Sequence, residues 1–319
     1  MFNFSTAKVR CSSIYNIMGG ADAKTNLQKW EEMCQELAEK QLRALNMKKK
    51  DGPGYQKLND TISRLENCIK VFESVKDDPL ELSAGCKTFL TAMYADVKYG
   101  KWNPIKDIGN KYTSKGKAAE EKSIDLASKL DKRVYTKNQL RLQNAWLTGT
   151  PDIIVGKDPY NAEKIIDVKS PWDCETFFSN LNDDLNLQYE WQMQGYMALS
   201  NAPVAEVHFC MVDIPDAMLN TEKLRLFNRM EVMFDTDPEY LKEEAQLIKN
   251  LTYGDMPDEE KRIKFVVHRD EEKIQKIYRQ VEKCRPYLEE IERMHLFGRD
   301  SVLLEKIKVP ESQEANDNP

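Results

Sequence analysis

The residues of this chain best suited to chemistry lie between Thr148 and Tyr196. Asp152 follows a Thr-Pro pair, and Asp167 and Lys169 form an Asp-x-Lys triplet downstream. Two apolar runs, Ile153–Val155 and Ile165–Ile166, flank a turn-rich segment containing Gly156, Pro159 and Asn161. Apolar β-branched runs separated by such residues read as a β-hairpin. With the turn centred between Pro159 and Tyr160, residues pair when their numbers sum to 319, which sets Asp152 opposite Asp167. Opposed side chains on one face of an antiparallel pair lie roughly 4.5–5.5 Å apart at Cβ. Alternation along a strand puts Lys169 on the same face as Asp167. Two close carboxylates repel unless one is protonated or a cation bridges them. An all-oxygen ligand set of this kind suits Mg²⁺ or Mn²⁺. By itself an Asp-x-Lys triplet also reads as a solvated strand end. Its company is what distinguishes it, because Gln192 and Tyr196 follow at i, i+4 and share one helix face.

The elements that must hold these residues can be read around them. The spacing predicts a first core strand over 139–149 and a helix from about Leu187 to Ala198, with a last core strand over 204–214. Ser170-Pro171-Trp172-Asp173 reads as a helix start with Ser170 as cap. Upstream, residues 5–20 read as a short helix, 83–98 as a helix capped by Ser83, and a further helix begins near Ser114 after a loop reaching about residue 112. Residues 23–76 carry two apolar helical repeats, Leu27, Trp30, Cys34, Leu37, Leu45 and Leu58, Ile62, Leu65, Ile69, Phe72, broken by Gly52-Pro53-Gly54. They predict an antiparallel, coiled-coil-like helical hairpin with a structural or partner-contacting role. Downstream, 216–260 is acidic, helical and peripheral, Arg262–Val267 adds a strand, and Glu271–Met294 is an amphipathic helix. The tail from Pro310 is polar, and disorder is expected in it.

Composition narrows the class. The 319 residues are 41% hydrophobic and 31% charged, enough for one core with additions or for two domains. No apolar run approaches the roughly 18–20 residues that span a bilayer, and the first residues lack a signal-peptide core. A cytoplasmic protein without a membrane partner is the expectation. The seven cysteines are scattered with no C-x-x-C pair, which predicts neither a zinc ribbon nor a disulfide framework. The three histidines match no metal motif, and His208, alternating with apolar neighbours, reads as packed. The net charge is −6, but it is segregated. Lys98–Arg141 holds twelve Lys/Arg against five Asp/Glu, and Asp216–Glu260 holds five against twelve. A basic block leading into the hairpin can attract phosphates even on an acidic protein.

In order and spacing, Gly149-Thr150-Pro151-Asp152, the Asp167-x-Lys169 triplet at the end of an apolar run and Gln192-x-x-x-Tyr196 together resemble the PD-(D/E)XK nuclease superfamily. The nearest likeness is to its lambda-exonuclease-like (YqaJ-type) phage recombination branch. The resemblance implies an α/β (α+β) fold, a mixed sheet flanked by helices, with elements in the order α-β-β-β-α-β. Four segments follow: an N-terminal helix over 1–22, the hairpin over 23–76, the nuclease domain over 77–295 with an acidic insertion over 216–260, and a tail over 296–319. It implies catalytic roles for Glu120, Asp152, Asp167, Lys169, Gln192 and Tyr196. Asp152, Asp167, the Val168 carbonyl and Glu120 would hold one or two Mg²⁺ or Mn²⁺ ions. Glu120 enters through a Gly116-x-x-x-Glu120 spacing, with the adjacent Glu121 as its rival. Lys169 would position or deprotonate the attacking water, and Gln192 would orient Lys169 or the nucleophile. Arg10, Ser12, Lys115, Lys117 and Ser170 would meet DNA phosphates, although Ser12 reads equally as a helix cap. Position 167 departs from the family's commonest form by carrying Asp where Glu is usual. Some relatives hold an iron–sulfur cluster, but only Cys284 lies in the corresponding region, so no cluster is expected. The implied activity is double-strand DNA end resection in the host-cell cytoplasm, with a single-strand annealing protein and a homo-oligomer as implied partners. An endonuclease and a catalytically silent DNA-binding scaffold of the same fold are the alternatives.

Overall fold

The hairpin register that the turn chemistry predicts is the one observed. In the computed structural model, strand β4 (Ile153–Val155) runs antiparallel to β5 (Lys164–Lys169), pairing Ile153 with Ile166 and Val155 with Lys164. Gly156 opens the turn at φ +129°, a backbone conformation that L side chains rarely adopt. The structure describes residues 2–21, 24–48, 50–77, 81–101, 111–181 and 184–298. Most of the tail expected over 296–319 and most of the loop expected before residue 112 lie outside them.

β5 continues into a four-stranded sheet in the order β4-β5-β6-β7, with β6 (Val204–Cys210) parallel to it and β7 (Arg262–His268) antiparallel on the far side. Because neighbouring Cα partners share a face, Asp167 and Lys169 stand beside Val207 and Phe209 on one side. Ile166 and Val168 point to the other, where they form a core cluster with Ile124, Ala127, Tyr135, Ile153 and Val155. Helix α5 (Lys111–Asp131) supplies that second layer. Helix α7 (Leu187–Ser200) covers the first face, and its Gln192 bonds Asp167 across the interface. The parallel β5–β6 pair requires a crossover, and α7 together with a short α6 (Cys174–Ser179) provides it.

Three details differ from the sequence reading. Residues 139–149 are two short strands, β2 (Leu142–Gln143) and β3 (Leu147–Gly149), because Asn144 bends the chain: its side-chain oxygen accepts from the amides of Trp146 and Leu147. The stretch from residue 5 is not helical throughout. Val9–Arg10 forms β1, parallel to β3, and the helix α1 covers only Ile14–Met18. The cap of α6 is Asp173 rather than Ser170; its carboxylate takes both the amide and the hydroxyl of Thr176, and the Ser170 hydroxyl pairs instead with Ser123.

The chain divides into two units, Gly19–Cys86 and the remainder. In the first, α2 (Asn26–Asn46) and α3 (Pro53–Glu73) run antiparallel, since Trp30 bonds Glu73 and Gln41 bonds Glu66. Thr25 and Gln28 make a capping box at the start of α2, and Pro53 occupies the first turn of α3, where its missing N–H costs nothing. Leu27 and Leu45, expected on the apolar seam, are exposed. In the second unit, α8 (Asp216–Met230), α9 (Pro238–Leu251) and α10 (Glu271–Phe297) follow; α4 (Ala84–Tyr99) starts in the last residues of the first unit and continues into the second. Among the described residues no helix is long and apolar enough to cross a membrane.

Glu292 on α10 is buried and accepts from the Phe2 amide, the Tyr94 hydroxyl and the Lys98 ammonium. Burial alone would raise its carboxyl, but Lys98 and the other donors outweigh burial and hold it at about 2. A carboxylate depressed in the fold adds stability above its unfolded pKa and loses it as pH falls towards the folded one. Glu292→Gln should therefore melt below wild type near pH 7, with the gap closing between about pH 4 and about pH 2. Thermal melts across that range check this.

Candidate active site

Asp152 is the last residue before β4, one step beyond the Ile153–Ile166 pair. Its Oδ2 accepts the Val168 amide at 2.8 Å, tying the carboxylate across the hairpin mouth. A strand residue's N–H and C=O point to the same edge, so the Val168 carbonyl faces the Asp152 side as well. Burial, followed by the neighbouring Asp167, pushes the Asp152 carboxyl up to about 8. Asp167 is buried and takes a 3.2 Å hydrogen bond from Gln192 on Oδ1. Its Oδ2 is buried and in ionic contact with the Lys169 ammonium. Burial would lower the Lys169 pKa, but Asp167 and Asp152 outweigh it and the ammonium stays charged, 5.0 Å above the Tyr189 ring.

These groups open into a cleft of about 640 Å³ whose lining includes Glu120, Asp152, Val168, Lys169 and Ser170. Gly116 and Lys117, one turn before Glu120 on α5, line it too. Glu121 is exposed outside the lining, so the helix period chooses Glu120 over its neighbour. Glu120 carries an ion pair to Lys137 at 3.3 Å. Gln192 does not reach Lys169, as the sequence reading allowed. It bonds Asp167 and, at 3.1 Å, the Tyr196 hydroxyl, which itself donates to the Thr150 carbonyl at 3.3 Å.

The residues expected to meet phosphates divide. Lys117 and Ser170 face the cleft. Lys115 does not: its side chain is fully buried and its ammonium donates to the Pro171 and Trp172 carbonyls at 2.6 and 3.0 Å. Burial lowers its pKa to about 8, and two carbonyls take the bonds that phosphate would need. Arg10 pairs with Asp96 at 2.9 Å, and neither it nor Ser12 belongs to the cleft lining. Trp172, Tyr189 and Phe209 add an aromatic wall to the cleft, which no motif or spacing in the sequence singles out.

The hairpin donor set fits a divalent cation. Repelling carboxylates and a convergent backbone carbonyl are what such an ion would satisfy. A second group, Asp131, Glu206 and His208, brings ligand atoms within 4.8 Å of one another. Its charges are already answered: Arg262 bonds Asp131 at 2.6 Å, Lys164 bonds Glu206 at 3.0 Å, and His208 Nε2 lies 2.9 Å from Glu206. Burial lowers the His208 pKa against the pull of Glu206, and the group reads as a balanced ion-pair network.

Close packing holds α7 against β3. A Cβ on Gly149 would sit 2.7 Å from Tyr196 Cε1 and 2.9 Å from Cys11 Sγ. Gly149→Ala should cost roughly 1–3 kcal/mol by overpacking, read as a lower denaturation midpoint.

No family model matches the chain, and no curated protein matches it by sequence. Among solved structures it is similar to a phage-related exonuclease from Haemophilus somnus 129PT, with a TM-score of 0.56 and 22% identity over 91% of this chain and 97% of that one. An alkaline exonuclease from Laribacter hongkongensis aligns with a TM-score of 0.45 and 15% identity, over 70% of this chain and 89% of that one. The first likeness establishes the fold, the mixed sheet flanked by helices that the motifs imply.

Proposed function

We propose that the chain is a divalent-metal-dependent deoxyribonuclease that hydrolyses DNA phosphodiesters, acting on double-strand ends. The observation that carries this reading is the convergence of Asp152, Glu120 and Lys169 on one open cleft, with the buried Asp167 carboxylate in ionic contact with Lys169. The fold shared with a protein described as a phage-related exonuclease supports the exonuclease form. Asp152, Asp167 and the Val168 carbonyl would hold Mg²⁺ or Mn²⁺, and Glu120 would complete the set after leaving Lys137. Such an ion, when bound, acidifies its water and neutralises charge developing on the phosphoryl oxygens.

The chain's own groups do the rest. Lys169, held by Asp167 and the Tyr189 ring, keeps an ammonium at the mouth to orient the attacking water and the scissile phosphate. Gln192 fixes the rotamer of Asp167, and Tyr196 ties Gln192 to the Thr150 carbonyl. Lys117 and Ser170 extend the cleft wall towards the flanking phosphates. A role in recombination, with a single-strand annealing protein or further copies of the chain as partners, belongs to the same reading.

The test is digestion of linear 5′-phosphorylated, linear 5′-hydroxyl and covalently closed circular DNA with Mg²⁺, Mn²⁺ or EDTA. Metal-dependent loss of linear DNA alone is expected. Cutting of circles would overturn the end-specific reading in favour of an endonuclease. Absence of any metal-dependent cleavage would overturn the nuclease reading.

A further inference from the structure

We propose that Asn138 is a positioning residue that holds the Asp152 carboxylate at the spacing from Asp167 and Glu120 that a divalent ion requires. The inference rests on the metal-dependent reading above.

The Gly149-Thr150-Pro151-Asp152 corner is where the chain leaves the small β1-β3-β2 sheet and enters β4. At such a break the ladder stops supplying hydrogen bonds, and every backbone polar group left inside needs another partner. The last three carbonyls of the corner, those of Thr150, Pro151 and Asp152, find theirs outside the sheet. Thr150 O accepts from the Tyr196 hydroxyl at 3.3 Å. Pro151 O accepts from Asn138 Nδ2 at 2.9 Å, and Asp152 O accepts from the Asn138 amide at 2.7 Å. Two of the three bonds come from one residue.

Asn138 is itself held. Its Oδ1 accepts the Leu140 amide at 2.9 Å, and its Nδ2 also reaches the Leu140 carbonyl at 3.0 Å. The amide plane is thus fixed by one neighbour on its own loop and by the corner it grips. Only a side chain with an acceptor and two donors on a short arm can do this; aspartate lacks the donors, and glutamine is a methylene too long.

The same loop reaches Glu120. Lys137, immediately before Asn138, pairs with that carboxylate at 3.3 Å, and Tyr135 bonds α5 through Asp131 at 2.9 Å and through Ser128 at 3.0 Å. Residues 135–138 therefore span from the helix that carries Glu120 to the corner that carries Asp152. One carboxyl oxygen of Asp152 is pinned by Val168, its carbonyl is held by the Asn138 main-chain amide, and the Pro151 carbonyl just before it is held by Asn138 Nδ2, the bond that a side-chain substitution removes. Divalent ions of this class bind oxygen at about 2.0–2.6 Å, so a small drift of the corner spoils the site while every ligand is still present. Partners that orient a metal ligand are commonly worth 10- to 100-fold in affinity.

Mn²⁺ binding to the full chain, measured by titration calorimetry, tests the proposal. Wild type, Asn138→Ala, Asn138→Ser and Asp152→Asn are compared, and hydrolysis of linear DNA is followed against Mn²⁺ concentration. Asn138→Ala should weaken Mn²⁺ binding by about 10- to 100-fold, yet its rate should climb back towards wild type at saturating Mn²⁺, because no ligand has been removed. Asn138→Ser, which keeps a single donor, should fall between the two and serves in place of the alanine variant should that one fail to fold. Wild-type Mn²⁺ affinity in the Asn138 variants, or a rate that saturating Mn²⁺ leaves low, overturns the proposal while sparing the metal reading. If wild type shows no Mn²⁺ binding that Asp152→Asn abolishes, the metal reading fails and the proposal falls with it.

Discussion

Replacing Lys169 with alanine should lower metal-dependent DNA hydrolysis by about 10²- to 10⁴-fold, the range for loss of a positioned proton-transfer or water-orienting group. The expectation follows from where the ammonium sits. It lines the cleft, contacts Asp167 and lies over Tyr189, so its position is set by two other side chains rather than by solvent. The fall should appear in the rate at saturating metal and DNA, since Glu120, Asp152 and Asp167 all remain. A second consequence separates this role from a general loss of structure. Without Lys169, Asp167 keeps a buried charge with no cationic partner, a change that costs on the order of 3 kcal/mol. The metal-free variant should therefore melt below wild type, and added Mg²⁺ should narrow the gap. An alanine variant with undiminished cleavage would remove Lys169 from the mechanism.

Asp152→Asn should abolish cleavage and yet stabilise the metal-free protein. The carboxylate is half-buried and crowded by Asp167, and its pKa is raised to about 8. A carboxyl whose pKa is raised by folding gives its full stability below the unfolded value and loses it as pH climbs through the folded one. The amide variant carries no such charge. Its melting temperature should match wild type near pH 4 and exceed it increasingly towards pH 8, in metal chelator. Adding Mg²⁺ or Mn²⁺ should reverse the order, because only wild type can bind the ion and gain stability from it. Lys169→Ala and Asp152→Asn would then both be inactive while moving metal-free stability in opposite directions. Equal melting curves for Asp152→Asn and wild type at pH 8 would mean that the two carboxylates are not in conflict, and the cation argument would lose its basis.

The hairpin was legible in the residues themselves. Gly156, Pro159 and Asn161 specify a turn locally, and a turn of known length dictates the register of both arms, so the juxtaposition of Asp152 and Asp167 follows from short-range chemistry. The shared face of Gln192 and Tyr196 was legible for the same reason, being a property of one helix period. Local rules reached less far where two side chains competed for one task. Ser170 reads as the cap of α6, but Asp173, three residues on, takes that role. Lys115 and Lys117 look alike in a basic run, but the helix buries one and turns the other to the cleft.

What tertiary structure alone decided are the contacts between elements far apart in the chain. That Gln192 grips Asp167 instead of Lys169 depends on how deep α7 lies on the sheet. That Asn138 holds the Asp152 corner depends on the path of a loop with no periodicity and no motif. Turn and helix preferences act over a few residues and are written in residue types. The distance from Glu120 to the hairpin is set by the packing of α5 on Ile153, Val155, Ile166 and Val168, a collective fit that belongs to no single residue.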